Sequence, residues 1–310
     1  MNAQSISGTP YTGRFAPSPS GPLHFGSLAA ALGSYLEAKA ASGRWLLRME
    51  DLDTPRNLPG AAEDILATLE TYGFQWDGEV AWQSRRLPLY REALALLQGE
   101  GLAFACGCTR REIGDSRTSH VPGTEIRYPG TCRNGLTPGR QVRSWRFRVD
   151  ECEVAFLDRV QGNIVQDVAA VVGDFVLLRA DGINAYQLAV VVDDAEQGVN
   201  RVVRGADLLD STPRQILLQR AIGLMQPDYA HLPVAANIAG EKLSKQTKAK
   251  ALAGLRPQTV LTTALAFLGQ EAPSGLAEAS LDEFWRWAIR HWDISRVPGR
   301  RSLPAPEGYT

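Results

Sequence analysis

The chain has 310 residues, 44% hydrophobic and 22% charged, which excludes a disordered or fibrous protein and predicts one sizeable core with one or two smaller lobes. A formal net charge of −1 gives no global field, so any nucleic-acid partner has to be held by a local basic patch. The longest apolar runs, of which 168–172 is one, and shorter ones such as 175–178 are too short to span a bilayer, and the polar start Met1 to Pro10 lacks a basic-then-apolar leader; no membrane partner is expected, and the cytoplasm is the default compartment.

Along the chain, Thr12 to Ala16 reads as a strand, broken by Pro17, Pro19, Gly21 and Pro22 and followed from about Phe25 by an Ala/Leu-rich helix ending near Ser42-Gly43. Arg44 to Met49 reads as a second strand, and Gly60 to Tyr72 and Leu89 to Gln98 carry apolar residues at helical spacing. This alternation predicts a parallel sheet with crossover helices, a layout suited to nucleotide binding. From Cys106 to Arg148 helical periodicity gives way to Gly, Pro and Arg until a strand at Ser144 to Val149, so an inserted lobe is expected. Short apolar β-type runs with turns at Gly162-Asn163 and Asp181-Gly182 fill Val154 to Arg204. Ser211-Thr212-Pro213 looks like a helix cap opening Arg214 to Gly223, and Pro257 to Leu268 and Leu281 to His291 read as two further helices.

Between strand and helix, Arg14 to Ser27 forms a Gly/Pro/Ser-rich turn. Backbone N–H groups and the positive helix end there suit a phosphate, with His24 placed to donate to it; a tight turn with His24 as a plain helix cap fits equally well. Of the 33 basic residues only five are Lys, and four of those lie between Lys242 and Lys250, around Glu241-Lys242-Leu243-Ser244-Lys245-Gln246. A compact ammonium on a flexible stem suits a phosphate contact, although a solvated charge run has the same composition. Cys106, Cys108 and Cys132 crowd together, a density that suggests metal in a reducing compartment; a zinc site needs a fourth donor, for which His120 is the obvious imidazole. Cys152 stands apart and reads as a small buried hydrophobe. Nine Arg against three acids between Arg110 and Arg148 make this lobe the basic patch, either an RNA-facing surface with Trp145 or Tyr128 for stacking, or a solvated face.

His24-Phe25-Gly26-Ser27 and Lys242-Leu243-Ser244-Lys245-Gln246 together resemble the HIGH and KMSKS signatures of class I aminoacyl-tRNA synthetases. Three further segments, Arg14 to Pro19, Leu47 to Asp53, and Tyr186 to Asp194 with Val203 to Asp207, resemble those of the glutamyl-tRNA synthetase group, so that five ordered matches run from residue 12 to about 250. The resemblance implies a Rossmann catalytic domain in two halves, 1–104 and 151–256, with a zinc-containing acceptor-type lobe at 105–150 and a short helical region at 257–310.

It further implies a glutamate pocket lined by Arg14, Ala16, Ser18, Glu50, Tyr186 and Arg204, in which cationic forks suit the two carboxylates and Glu50 the ammonium. An ion pair of Glu50 with Arg48 or Arg56 is the alternative. ATP would be bound by His24, Gly26, Ser27 and Lys245, with His24, Lys242 and Lys245 as catalytic groups and Mg²⁺ assisting; Ser27 stands where the signature has a second His, which weakens any role of that second His. The cysteine spacing resembles the zinc site of glutamyl-Q tRNA(Asp) synthetases, which implies Tyr128 as the fourth ligand beside Cys106, Cys108 and Cys132.

A glutamyl-tRNA synthetase continues well beyond the KMSKS region into an anticodon-binding domain, whereas this chain ends about sixty residues after Lys250. The expectation is therefore the truncated family, whose partners are ATP, glutamate and tRNA(Asp) bearing queuosine, in a monomer without an anticodon-binding domain. A non-catalytic tRNA-binding paralogue and a different nucleotidylyltransferase are the competitors; the first would not need His24, Glu50, Arg204 and Lys245 intact, nor the second the set Arg14, Glu50, Tyr186 and Arg204.

Overall fold

The computed structural model describes residues 9–115, 127–150, 153–243, 252 and 254–309. Strand β1 (Thr12–Phe15) passes through the proline-rich turn into helix α1 (Phe25–Ala40), and β2 (Arg44–Met49) returns parallel to β1 with Thr12 opposite Arg44. Helix α2 (Ala61–Thr71) and strand β3 (Ala81–Trp82), parallel to β2, repeat the unit, and α3 (Leu87–Gly99) follows.

The chain then leaves the parallel sheet. Strands β4 (Ala103–Cys106) and β5 (Ser144–Phe147) flank α4 (Arg110–Asp115), and β6 (Glu153–Asp158) and β7 (Gly162–Asp167) form a hairpin. After α5 (Val168–Val171), β8 (Phe175–Leu178) pairs antiparallel with β5, giving a small sheet in the order β4-β5-β8.

Helix α6 (Tyr186–Glu196) and strand β9 (Arg201–Gly205) bring the chain back to β1. Asn200 makes the join: its backbone N–H donates to Thr12 O, and its side-chain oxygen accepts from Thr12 N at 2.9 Å. Helix α7 (Thr212–Ala221) leads to β10 (Asp228–Leu232), parallel to both β9 and β6. Strand β11 (Val234–Ala236), helices α8 (Pro257–Phe267) and α9 (Leu281–His291), and strand β12 (Ser302–Pro304), parallel to β11, complete the order.

Helix α1 is the keystone of the larger core. Phe25, Leu28, Leu32 and Leu36 are fully buried, and a Cβ at Gly33 would stand 2.5 Å from Leu232 Cδ1, so glycine lets the helix settle on β10. Tyr35, Trp45, Phe74 and Trp285 interlock in edge-to-face and stacked pairs, tying α9 to β2 and α1.

One element corrects the sequence reading. Tyr186 to Asp194, taken within a stretch of β-type runs, is the body of α6. Its Val190-Val191-Val192 run lowers helix propensity by only tenths of a kcal/mol per residue, roughly 0.5, while Leu188, Ala189, Val190 and Val191 are all buried. Burial outweighs the local preference. Ser211 holds the N-cap position of α7, but its hydroxyl bonds Gln187 and Arg214 instead of capping the helix. Among the described residues no helix is long and apolar enough to cross a membrane.

Candidate active site

Strand β1 is parallel to β2 and β9 to β10, and the residues just past their carboxyl ends, Ala16, Glu50, Gly205 and Pro233, all line one cleft, the place where ligands bind in open α/β folds. A cleft of about 420 Å³ opens there. It is lined by Arg14, Ala16, Ser18, His24, Gly26, Ser27, Glu50, Tyr186, Arg204 and Lys242, which gathers every expected glutamate, ATP and catalytic residue except Lys245. Lys245 lies outside the described residues.

The N-terminus of α1 forms one wall. His24 occupies the N-cap, its Nδ1 accepting from Ser27 N at 3.4 Å and its Nε2 lying 3.1 Å from Ser27 Oγ. Capping and facing the cleft are therefore compatible, because the cap residue of a helix that points at a phosphate stands beside that phosphate. A Cβ on Gly26 would lie 3.3 Å from the His24 ring, so glycine keeps the imidazole in place.

Arg14 and Glu50, which also line the cleft, are held by a buried network that sequence reading only touched. Arg48 has no exposed side-chain surface; its Nη2 is 2.7 Å from Asp194 Oδ1 and 3.6 Å from Glu50 Oε1, and its Nη1 donates to Gln197 at 2.5 Å. Asp194 also accepts from Arg14 Nε at 3.1 Å, which orients the Arg14 fork. Burial raises the Asp194 pKa, but Arg14 and Arg48 overcome it and hold the carboxyl below its ordinary value. Glu50 is less compensated: burial pushes its pKa up to about 7 against the opposing pull of Arg48 and Arg14. Asp193 anchors the rear, accepting from Arg86 Nε at 2.6 Å, Gln83 Nε2 at 2.7 Å and Tyr90 OH at 2.8 Å. Both aspartates project from the last turn of α6, whose strand-like sequence concealed their common origin.

Arg204, on β9, is surrounded by acceptors. Its Nη1 donates to Tyr186 OH at 3.2 Å, Nη2 to Thr212 Oγ1 at 2.9 Å and Gln215 Oε1 at 2.8 Å, and Nε to His231 Nε2 at 3.0 Å. His231, absent from the sequence reading, lies at the apolar end of β10 and meets Asp158 Oδ2 through Nδ1 at 2.6 Å. Burial, reinforced by Arg204, lowers its pKa to about 4 despite Asp158. A lone histidine between Ala230 and Leu232, just before Pro233, was the available signal. At the mouth, Lys242 Nζ reaches Asp207 Oδ2 at 2.5 Å.

A second cluster lies in the β4-β5-β8 lobe. The Cys106, Cys108 and Cys132 sulfurs fall within 4.8 Å of one another and all three residues are buried. Tyr128 OH lies 3.4 Å from Cys106 Sγ and 3.7 Å from Cys108 Sγ, and accepts from Cys132 N at 2.8 Å. Four converging soft and phenolic donors fit a small thiophilic cation. Cations back the cluster: the Arg146 guanidinium stacks 4.0 Å over the Tyr128 ring, and Arg140 Nη1 approaches Cys108 Sγ at 3.7 Å. Burial raises the Cys106 thiol, but hydrogen bonds from Tyr128, the Cys108 backbone and Arg146 bring it down to about 7. His120 and Cys152 lie outside the described residues.

The basic patch of this lobe is narrower than composition suggests. Arg133 is engaged by Asp150 and Asp174, Arg140 by Glu112, Arg146 by Tyr128, and Arg148 by Phe104 and the Arg133 carbonyl. Tyr128 is buried among the sulfurs and so is not a stacking surface, whereas Arg110, Arg111 and Arg143 are exposed.

Residues 11–265 match the family of tRNA synthetases class I (E and Q), catalytic domain. A glutamyl-Q tRNA(Asp) synthetase of Dechloromonas aromatica is 60% identical over 95% of this chain and 98% of its own length, and one of Chromobacterium violaceum is 59% identical over the same shares. A crystal structure of a glutamate tRNA ligase from Elizabethkingia meningosepticum, in complex with its amino acid, superposes with a TM-score of 0.77 at 26% identity, over 94% of this chain and 66% of that one. The chain belongs to the class I tRNA synthetases of the E and Q type and, within them, to the family of glutamyl-Q tRNA(Asp) synthetases.

Proposed function

We propose that this chain activates glutamate with ATP, without tRNA, and transfers it to the queuosine base in the anticodon of tRNA(Asp). The observation that carries the first half is the meeting, in one cleft, of Arg14, Arg204 and Glu50 with the N-terminus of α1. Two cationic forks and one carboxylate match a dicarboxylic amino acid with its ammonium, and the helix end matches a phosphate. The second half is supported by relatives of 60% and 59% identity that carry the name glutamyl-Q tRNA(Asp) synthetase.

In the reaction an α-carboxylate oxygen of glutamate attacks the α-phosphorus of ATP, the bond to the bridging oxygen breaks, and pyrophosphate leaves. The protein supplies alignment and countercharge. Arg14 and Arg204 hold the carboxylates, with Ala16, Ser18 and Tyr186 shaping the pocket around them. Glu50 holds the ammonium. His24, Gly26 and Ser27 meet the phosphates at the start of α1, and Lys242 and Lys245 draw off the negative charge of the departing pyrophosphate; Mg²⁺ carried by ATP adds to that countercharge. Transfer to queuosine then releases AMP.

Cys106, Cys108, Cys132 and Tyr128 would hold one structural Zn²⁺, which when bound ties β4 to the loop carrying Tyr128 and Cys132. The chain divides as a catalytic domain in two halves, 1–104 and 151–256, a zinc lobe at 105–150 and a C-terminal region at 257–310, and acts as a monomer in the cytoplasm.

Glutamate-dependent ATP/pyrophosphate exchange without tRNA tests the activation step, and charging of labelled glutamate onto tRNA from cells with and without queuosine tests the acceptor. Exchange with glutamate and charging of the queuosine-bearing tRNA only are expected. Absence of exchange removes the activation claim and leaves a non-catalytic paralogue, whereas equal charging of both pools, or charging of tRNA(Glu), removes the acceptor claim.

A further inference from the structure

Arg204 carries five N–H donors and no acceptor, so the direction of its fork is decided by the acceptors around it. Three are hydroxyl or amide oxygens on α6 and α7; the fourth is His231 Nε2, facing Arg204 Nε at 3.0 Å. A guanidinium accepts nothing, so Nε2 has to present its lone pair, and the imidazole proton has to sit on Nδ1. That nitrogen faces Asp158 Oδ2 at 2.6 Å.

Asp158 cannot turn away. Its Oδ1 accepts from the backbone N–H groups of Val160 at 3.0 Å, Gln161 at 2.9 Å and His231 at 3.1 Å, and neither His231 nor Asp158 has any exposed side-chain surface. The groups facing His231 are Asp158, Arg204 and Thr212 at hydrogen-bond distance, with Tyr229 stacked at 6.1 Å and the Arg14 charge beyond. A second proton on the ring would set an N–H against the N–H of Arg204.

We infer that Asp158 and His231 are a positioning pair: the carboxylate fixes the imidazole tautomer, the imidazole fixes Arg204, and Arg204 thereby holds an Nη1–H ready for a substrate carboxylate in the cleft. The inference rests on the proposed glutamate activation, since it names what orients the substrate-binding fork. Neither residue touches the substrate. With Arg204 receiving the side-chain carboxylate and Arg14 the α-carboxylate, the pair also raises the selectivity for glutamate over glutamine, because an all-donor fork held rigidly accepts a carboxylate and leaves an amide N–H₂ without a partner.

Glutamate-dependent exchange is measured for His231→Phe, His231→Gln and Asp158→Asn, together with thermal unfolding. His231→Phe removes the acceptor and is expected to raise KM for glutamate roughly ten- to hundredfold, with KM for ATP within about twofold of the parent. His231→Gln offers an amide oxygen in place of Nε2 and recovers most of that loss; Asp158→Asn lies between, and the loss in each variant is smaller for glutamine than for glutamate. An unchanged glutamate KM in folded His231→Phe, an equal rise of both KM values, or no difference between the Phe and Gln variants overturns the inference.

Nitrogen-15 NMR of the four histidines in the unsubstituted protein gives an answer even where a variant fails to fold or wild-type exchange is absent. One ring should show the neutral Nδ1–H form at pH 7.5; its absence, with His231 assigned as Nε2–H or doubly protonated, refutes the pair. Failure of exchange in the wild type, by contrast, counts against the glutamate reading and not against the tautomer.

Discussion

Arg48 Nη2 lies 2.7 Å from Asp194 but 3.6 Å from Glu50, so the guanidinium between the two carboxylates is closer to the one that holds the scaffold. Glu50 is left with the weaker contact at the wall of the cleft, and burial keeps its pKa near 7, against an ordinary value of 4.5. As pH falls through 7 it takes up a proton and loses its attraction for an ammonium. Glutamate binding measured without ATP should therefore weaken from pH 8 to pH 6, approaching about tenfold per unit below 7, and Glu50→Gln should bind weakly at every pH with no such slope.

The same shift has a sign in stability. Between 4.5 and 7 the folded state holds a proton on Glu50 that the unfolded chain has released, so stability falls as pH rises through that window and is level above it. Glu50→Gln removes the buried charge, and urea unfolding at pH 8 should find this variant more stable than the parent by up to about 3 kcal/mol. A variant less stable at pH 8 than at pH 5, relative to the parent, would reverse the assignment.

Arg204→Lys tests the fork. An ammonium cannot reach His231, Tyr186, Thr212 and Gln215 together, so buried acceptors lose their donors and the substrate loses its planar contact. Each stranded group costs about 1–3 kcal/mol. We expect kcat/KM for glutamate in exchange to fall by roughly 100-fold or more, mostly through KM, with a lower Tm; a change below about threefold would show that Arg204 is not at the substrate.

Much of this site was legible because its parts are local signals. The proline-rich turn before α1, the strand ending at Met49 just before Glu50 and the Arg204 segment each announce themselves within a few residues, and the fold brings their ends together at the cleft. What escaped was long-range. Asp158 and His231 stand 73 positions apart, and Arg48 reaches Asp194 across 146, so their partnership exists only in the fold. The Val190-Val191-Val192 run hid α6, since local preference favours a strand and only burial decides for a helix. Arginine density in the cysteine lobe likewise suggested a uniform basic face, yet Arg133, Arg140 and Arg146 serve internal partners.

For the cysteine cluster, metal analysis of the purified protein should find close to one zinc per chain, and removal by a chelator should lower Tm, as expected where metal binding contributes to folding. Cys132→Ser should lose the metal. Tyr128→Phe removes only the phenolic oxygen that lies 3.4 Å from Cys106 Sγ, so it should retain zinc at weakened affinity. Unchanged content and affinity in that variant would assign the fourth position to His120 or another donor.

Lys242 and Asp207 set the last expectation. Their contact at 2.5 Å spans the mouth of the cleft, with side chains 48% and 32% exposed, and an ion pair so accessible to water is worth only about 0–1 kcal/mol. On the proposed reading, phosphates entering beside the start of α1 compete with Asp207 for the ammonium, and the ligand is favoured because it brings several negative charges against one. Asp207→Asn removes the competitor and should lower KM for ATP by about two- to fivefold. Lys242→Met removes the cation and should reduce kcat of exchange by roughly 10- to 100-fold while leaving KM for glutamate nearly unchanged. A raised KM for ATP in Asp207→Asn would instead make the ion pair part of the nucleotide site, with Asp207 holding Lys242 in its working position and not away from it.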